Sequence, residues 1–145
     1  MDGRRVFSLE EVNELIPTLS AVVKEQLDRR AAIESLLGEL GQVLGDVPER
    51  IVLEPGEPEE VRAMKRDILR RIDEYRSGWK NVEAMGAVLK DPRAGLVDFY
   101  GNVEGQLVWL CWKYGESVVD HYHRLEEGFA MRKPIAPGIR ARLIN

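Results

Sequence analysis

The 145 residues contain one cysteine, Cys111, so no disulfide can form within the chain. That suits a reducing compartment. The first eight residues hold no apolar export segment. No run approaches the roughly 18 apolar residues that span a bilayer. A cytoplasmic protein with no membrane attachment is therefore expected. Excess positive charge is also missing. The formal net charge is -4, which argues against general binding to nucleic acid or anionic lipid, because phosphate binding draws its energy from basic surface. The one local basic bias is Arg132, Lys133, Arg140 and Arg142, which reads as a solvated tail ahead of a nucleic-acid arm. The chain has no P-loop, no G-x-G-x-x-G, no paired CxxC and no H-E-x-x-H, so the familiar phosphate and zinc signatures are excluded. Internal repeats and low-complexity stretches are lacking too.

What is present is 44% apolar and 32% charged residues. This is neither a disordered nor a membrane composition, and the length suits one domain over residues 1–145 with a real core. The first helix starts at Ser8. Ser8 and Glu11 stand three apart as a capping box, and Phe7 and Val12 stand where a hydrophobic staple needs them. Apolar residues then recur at steps of three and four: Leu9, Val12, Ile16, Leu19, Val23, and again Ile33, Leu37, Leu40, Leu44. Between them the same register meets Gln26 and Arg30, with Leu27 and Ala31 on the neighbouring row. Pro17 removes one backbone bond two turns in and is expected to kink the helix. Gly38, Gly41 and Gly45 place its end between about 38 and 45. Residues 45–58 form a connector, within which Ile51, Val52 and Leu53 suggest a short extended piece packed on the helices. Pro58, Glu59 and Glu60 open a second helix, with the stripe Val61, Met64, Ile68, Ile72, Tyr75, Trp79, Val82. Two such stripes predict an antiparallel helical hairpin over residues 8–86.

The character changes over residues 87–145. Leu96–Tyr100 and Gln106–Lys113 are rich in branched and aromatic residues, with a glycine-bearing loop over 101–105 between them. This predicts an antiparallel β-hairpin or small sheet and, with the helices, an α+β fold. Residues 117–130 leave two readings open. Val118 and Val119 could extend the sheet, or Tyr122–Glu127 could form a helical turn ended by Gly128. The tail, with Pro134, Pro137 and Gly138, reads as irregular.

Most of the residues suited to chemistry lie in this last third. On a helix, His123 and Glu127 would share a face, and Glu116 could add a second carboxylate. One histidine and two carboxylates suit a divalent metal such as zinc, manganese or iron. The plainer reading is a structural His–Glu hydrogen bond. Cys111 is a candidate reactive thiol with His123 as its base, set against the plainer reading of a small buried hydrophobe. Asp98 lies in a predicted strand. If it faces inward it needs a partner among Arg132, Lys113 and His123. Trp109, Trp112, Tyr114, Tyr122 and Phe129 read first as aromatic core and second as a ligand pocket.

Several of these pieces stand together in a known order: Phe7–Glu11, Gly95–Phe99, Leu110–Lys113 with Gly115 and Glu116, then His123 followed by Glu127, Gly128, Phe129 and Arg132. In this the chain resembles the bacterial domain-of-unknown-function 2203 family over nearly its whole length. Tyr122 departs from the resemblance, standing where the family is expected to carry Trp before its histidine. The resemblance implies membership and marks Asp98 to Arg132 as the hallmark segment. It carries no activity.

Two function classes follow. The first is an interaction or scaffold protein, homo-oligomeric through coiled-coil-like helix contacts or docking a protein partner, with Gln26 and Arg30 setting register. The second is a small-ligand or metal-dependent enzyme, with a site at Asp98, Glu116, His123 and Glu127 and with Arg132 steering an anion.

Overall fold

The computed structural model describes residues 5–135. Two helices come first, α1 at Leu9–Leu44 and α2 at Glu59–Ala84. They are followed by the strands β1 (Val88–Asp91), β2 (Leu96–Val103), β3 (Gln106–Lys113), β4 (His121–Arg124) and β5 (Lys133–Pro134), with a short 3-10 turn at Phe129–Met131. The strands form one antiparallel sheet in the order β1-β2-β3-β4-β5. The α+β reading and the helical hairpin therefore hold. No helix among the described residues is long and apolar enough to cross a membrane. The chain divides into two units. Among the described residues, one combines 5–24 and 81–135, and the other is 25–80.

In the first unit α1 begins as its capping box requires. Glu11 N donates to Ser8 Oγ at 3.1 Å, and Ser8 N donates to Glu11 Oε1 at 2.8 Å, satisfying two helix-end donors reciprocally. Phe7 is fully buried, edge-on to Phe99 with ring centres 5.2 Å apart. Its amide donates to the Tyr100 carbonyl at 2.7 Å, on the β2 edge just past the end of β1. Gly86, at φ +96°, ends the turn after α2 where any side chain would overlap the Phe7 ring. Asn13 of α1 both donates to and accepts from the Val119 backbone, tying the helix to the segment before β4.

The second unit is a helical hairpin. Leu40, Val61 and Ile68 are its buried centre, with Leu36, Leu37, Ile51, Met64 and Ile72 packed around them. The connector forms no strand. Ile51 packs on the helices and the Val52 carbonyl accepts from Lys65 Nζ at 2.7 Å. Gln26 and Arg30 interrupt the apolar stripe because their polar groups are used inside this unit. Gln26 is fully buried, and its amide donates to the Tyr75 carbonyl of α2 at 2.6 Å. The helices can meet there because residue 78 is glycine, where a Cβ would overlap the Gln26 amide. Arg30 donates to the Tyr75 hydroxyl at 3.2 Å and pairs with Glu34.

The sheet departs from expectation in four places, one of them Lys133 and Pro134, which pair with β4 as β5 where an irregular tail is expected. Residues 101–103 are paired strand rather than loop. Only Glu104 and Gly105 turn the hairpin, both at positive φ, +51° and +83°, a two-residue turn of the kind that matches strand twist. Gly101 is a strand residue whose missing side chain leaves room for Leu110 across the pair. Val88–Asp91, of which the sequence pattern marks only Ala87–Leu89 as a short apolar run, is an edge strand with a bulge at Lys90. Residues 121–124 are strand, which removes the helical turn over Tyr122–Glu127.

In the second unit, Lys65 and Glu57 form a tight buried ion pair that clamps the connector to α2. The Lys65 hydrogen bond, helped by the Glu54 amide, holds the Glu57 carboxyl below the ordinary carboxylate range against the cost of burial. A carboxyl with a depressed folded pKa contributes stability that is full above its unfolded pKa and fades as pH falls through its folded one. Urea denaturation at a series of pH values from about 6 to about 2 should therefore show a shallower acid limb for Glu57→Gln than for the wild type, together with a lower midpoint at neutral pH. Superimposable acid limbs would show that this pair does not contribute.

Candidate functional site

Residues directly opposite each other in an antiparallel sheet point to the same face. Asp98 is opposite Val88 on one side and Cys111 on the other, and Cys111 is opposite His121. One step along, Tyr100, Trp109 and His123 form the neighbouring row on that same face. The other face carries Val97, Phe99, Leu110 and Trp112, all fully buried. Register thus gathers one acid, one thiol and two imidazoles on one side of β2, β3 and β4, opposite the apolar core residues.

This face is not open to water. Asp98 and Cys111 are 1% exposed and His123 is 3%. The chain after β4 folds back over part of it. The Arg132 guanidinium carbon lies 4.3 Å from the centre of the Phe129 ring, and its Nη1 donates to Cys111 Sγ at 3.8 Å. From the bulge in β1, Lys90 Nζ sits 3.8 Å over the Trp109 ring and 4.0 Å from Asp98 Oδ2. Tyr100 stacks on Trp109 at 4.1 Å.

Within this enclosure His123 bridges two acceptors. Its Nδ1 lies 3.0 Å from the Arg124 carbonyl and its Nε2 lies 3.0 Å from Asp98 Oδ2. A carbonyl only accepts, so Nδ1 carries a proton, and Nε2 is the atom turned toward the carboxylate. Asp98 Oδ1 is buried with no hydrogen-bond partner among the described residues. The nearest help is the weak S–H donor of Cys111 across the strand pair. Burial pushes the Asp98 carboxyl above its ordinary range, opposed by His123, Cys111 and Lys90.

The five expected site residues separate. Asp98 and His123 meet, with Cys111 between them. One ligating atom from each of the three lies within 4.8 Å of the other two. Arg132 and Glu116 form the adjacent edge as a two-armed ion pair of 3.1 and 2.7 Å. Glu116 also accepts from the Lys113 amide at 2.7 Å. Burial would raise the Glu116 carboxyl, and the Arg132 fork, the Lys113 amide and His121 together more than reverse this, leaving it below its ordinary range. Glu127 does not join. Its spacing from His123 assumed a helix, whereas His123 lies in β4 and Glu127 closes the following turn by accepting from the Arg124 amide at 2.9 Å. Sequence reasoning missed Lys90, whose place depends on an unrecognised strand, and the pairing of His121 with Asp120 at 2.6 Å. Of the basic tail, Arg132 is engaged by Glu116, and Arg140 and Arg142 lie outside the described residues. A hollow of about 200 Å³ near Val108, Tyr122 and Arg124 lies on the opposite face and shares no residue with the cluster.

Burial, and then the Asp98 carboxyl, push the Cys111 thiol up to about 12 against the help of Arg132. Thiol reactivity follows the thiolate, which is then scarce at neutral pH. A disulfide reagent at pH 7.5 should label the metal-free native protein at least 100-fold more slowly than the urea-unfolded chain. Comparable rates would restore Cys111 as a reactive thiol.

The family model described as "Uncharacterized conserved protein (DUF2203)" matches residues 5–135, nearly the whole chain and all of this site. No curated protein and no solved structure matches. The chain belongs to the DUF2203 family.

Proposed function

We propose that the chain is a small-ligand or metal-dependent enzyme whose site is the sheet face of Asp98, Cys111 and His123, with the Arg132–Glu116 ion pair at its edge. One observation carries this reading: Asp98 is buried with one carboxylate oxygen left without a partner. A fold gains nothing from such a group, since an unpaired buried acceptor costs about 1–3 kcal/mol and more when charged. Perturbed, incompletely satisfied ionisable groups gather at functional sites, where stability is given up for chemistry. A cytoplasmic, reducing setting suits the reading, because a lone cysteine stays a thiol there.

Asparagine at position 98 would keep the shape and could donate to His123 Nε2. In chelator-treated protein, urea denaturation should find Asp98→Asn within about 1 kcal/mol of the wild type or more stable. A loss of about 3 kcal/mol or more would mark the Asp98–His123 contact as a structural ion pair and overturn the proposal.

Self-association through the helices, with a scaffold role, is the second reading. It is favoured by the exposed Val43, Leu44, Val47, Val52 and Leu69 of the second unit. Gln26 and Arg30 lend it no register, because both bond within the chain. Sedimentation over a wide concentration range should reveal a dimer if this reading holds, and a monomer throughout would remove it.

A further inference from the structure

The geometry points to a divalent transition-metal site of the zinc type, bound by the Asp98 carboxylate, the Cys111 thiolate and His123 Nε2. This rests on the reading of that face as the functional site and names what it binds.

Four observations meet here. First, the donors are one oxygen, one sulfur and one nitrogen, the mixed set that a borderline ion such as zinc accepts and that magnesium or calcium does not. Second, they are already gathered, with ligating atoms within 4.8 Å of one another. Ligand atoms around a tetrahedral zinc lie roughly 3.3–3.7 Å apart, given its bond lengths of about 2.0–2.3 Å. The 3.0 Å between His123 Nε2 and Asp98 Oδ2 is close to such an edge. Third, the Arg124 carbonyl holds the proton on His123 Nδ1, which leaves Nε2 as the ligating atom. This is how metal-bound histidines are ordinarily oriented. Fourth, Asp98 Oδ1 is buried and lacks a partner, which an ion held by both carboxylate oxygens would supply.

The nearby cations do not oppose the site. An Asp carboxylate, a Cys thiolate and a neutral imidazole neutralise a 2+ ion, so Lys90 and Arg132 face an uncharged centre. Lys90 is one-third exposed and lies over the Trp109 ring, and Arg132 is already paired with Glu116. Binding displaces two protons, that of the Cys111 thiol and the one shared between His123 Nε2 and Asp98 Oδ2: the S–H bond and the bond to the shared proton break, bonds from sulfur, nitrogen and oxygen to the metal form, both protons leave to solvent and no redox change occurs. Three protein ligands leave a fourth position for water or substrate, which is the plan of a catalytic rather than a structural zinc site. A second group, Glu116, Asp120 and His121, is comparably close. It is half-exposed, it has no orphaned buried atom, and Arg132 and His121 already take up its carboxylates.

Cobalt(II) is the probe, because its visible bands report tetrahedral coordination and a near-ultraviolet thiolate-to-cobalt band reports a bound sulfur. Cys111 is the only cysteine, so that band can arise from no other residue. Untagged, chelator-treated protein titrated with cobalt(II) should bind one ion per chain with both features, and zinc should bleach them. Cys111→Ser should lose the near-ultraviolet band. His123→Gln and Asp98→Asn should each weaken binding at least tenfold, while His121→Asn should leave the spectrum unchanged. Wild-type protein without the sulfur band would overturn the inference whether or not the variants fold. So would cobalt binding that survives His123→Gln and Asp98→Asn, or that is lost in His121→Asn. A missing cobalt spectrum with a tolerated Asp98→Asn sinks only the metal. A strongly destabilising Asp98→Asn in metal-free protein sinks the reading beneath it.

Discussion

Strands β2 and β3 pair over eight residues, from Leu96 opposite Lys113 to Val103 opposite Gln106, and everything chemical about this protein depends on that register. A slip of one residue would move every side chain to the other face. The pairing is locked from both sides. Val97, Phe99, Leu110 and Trp112 fill one face completely, and the two-residue turn at Glu104 and Gly105 admits no extra length. Once the apolar residues are inward, Asp98 and Cys111 have no choice but to lie together on the other side, and β4 adds His123 two strands from Asp98.

The helices were readable because their signals are local. A capping box, an apolar stripe with a period near 3.6 and a glycine after the last turn are each contained within a few residues, and α1 ends at Leu44 with Gly45 at φ +92°. The sheet was readable only in its longest hairpin. β1 has four residues and a bulge, and its partner β2 is what makes it a strand. β4 reads His-Tyr-His-Arg, which alternates no more like a strand than like a turn, and its identity comes from the β3 edge it joins.

The candidate site was legible in its membership but not in its grouping. Asp98, Cys111 and His123 stood out as chemically capable residues, yet they are 13 and 12 positions apart in the chain, and spacing alone could not join them. The one spacing that looked meaningful, His123 to Glu127, misled because it presumed a helix. The Asp98 face was unreadable for the same reason that register is unreadable: alternation tells which residues share a side, not which side is covered.

Buried polar groups elsewhere in the chain set a standard for judging this cluster. Gln26, fully enclosed, bonds through its amide nitrogen to Tyr75 and through its oxygen to Arg29. Lys65, nearly enclosed, reaches both Glu57 and the Val52 carbonyl. Each joins elements of the helical hairpin, and each has its hydrogen bonds made, as a polar group must if burying it is to favour the fold. Asp98 is as deeply buried, and one of its oxygens has no partner. Among the described residues two buried side-chain atoms lack a partner, Trp79 Nε1 and Asp98 Oδ1, and only the second belongs to an ionisable group, whose burial unpaired costs more. The contrast between Gln26 and Asp98 is what supports the proposal that Asp98 is placed for a ligand.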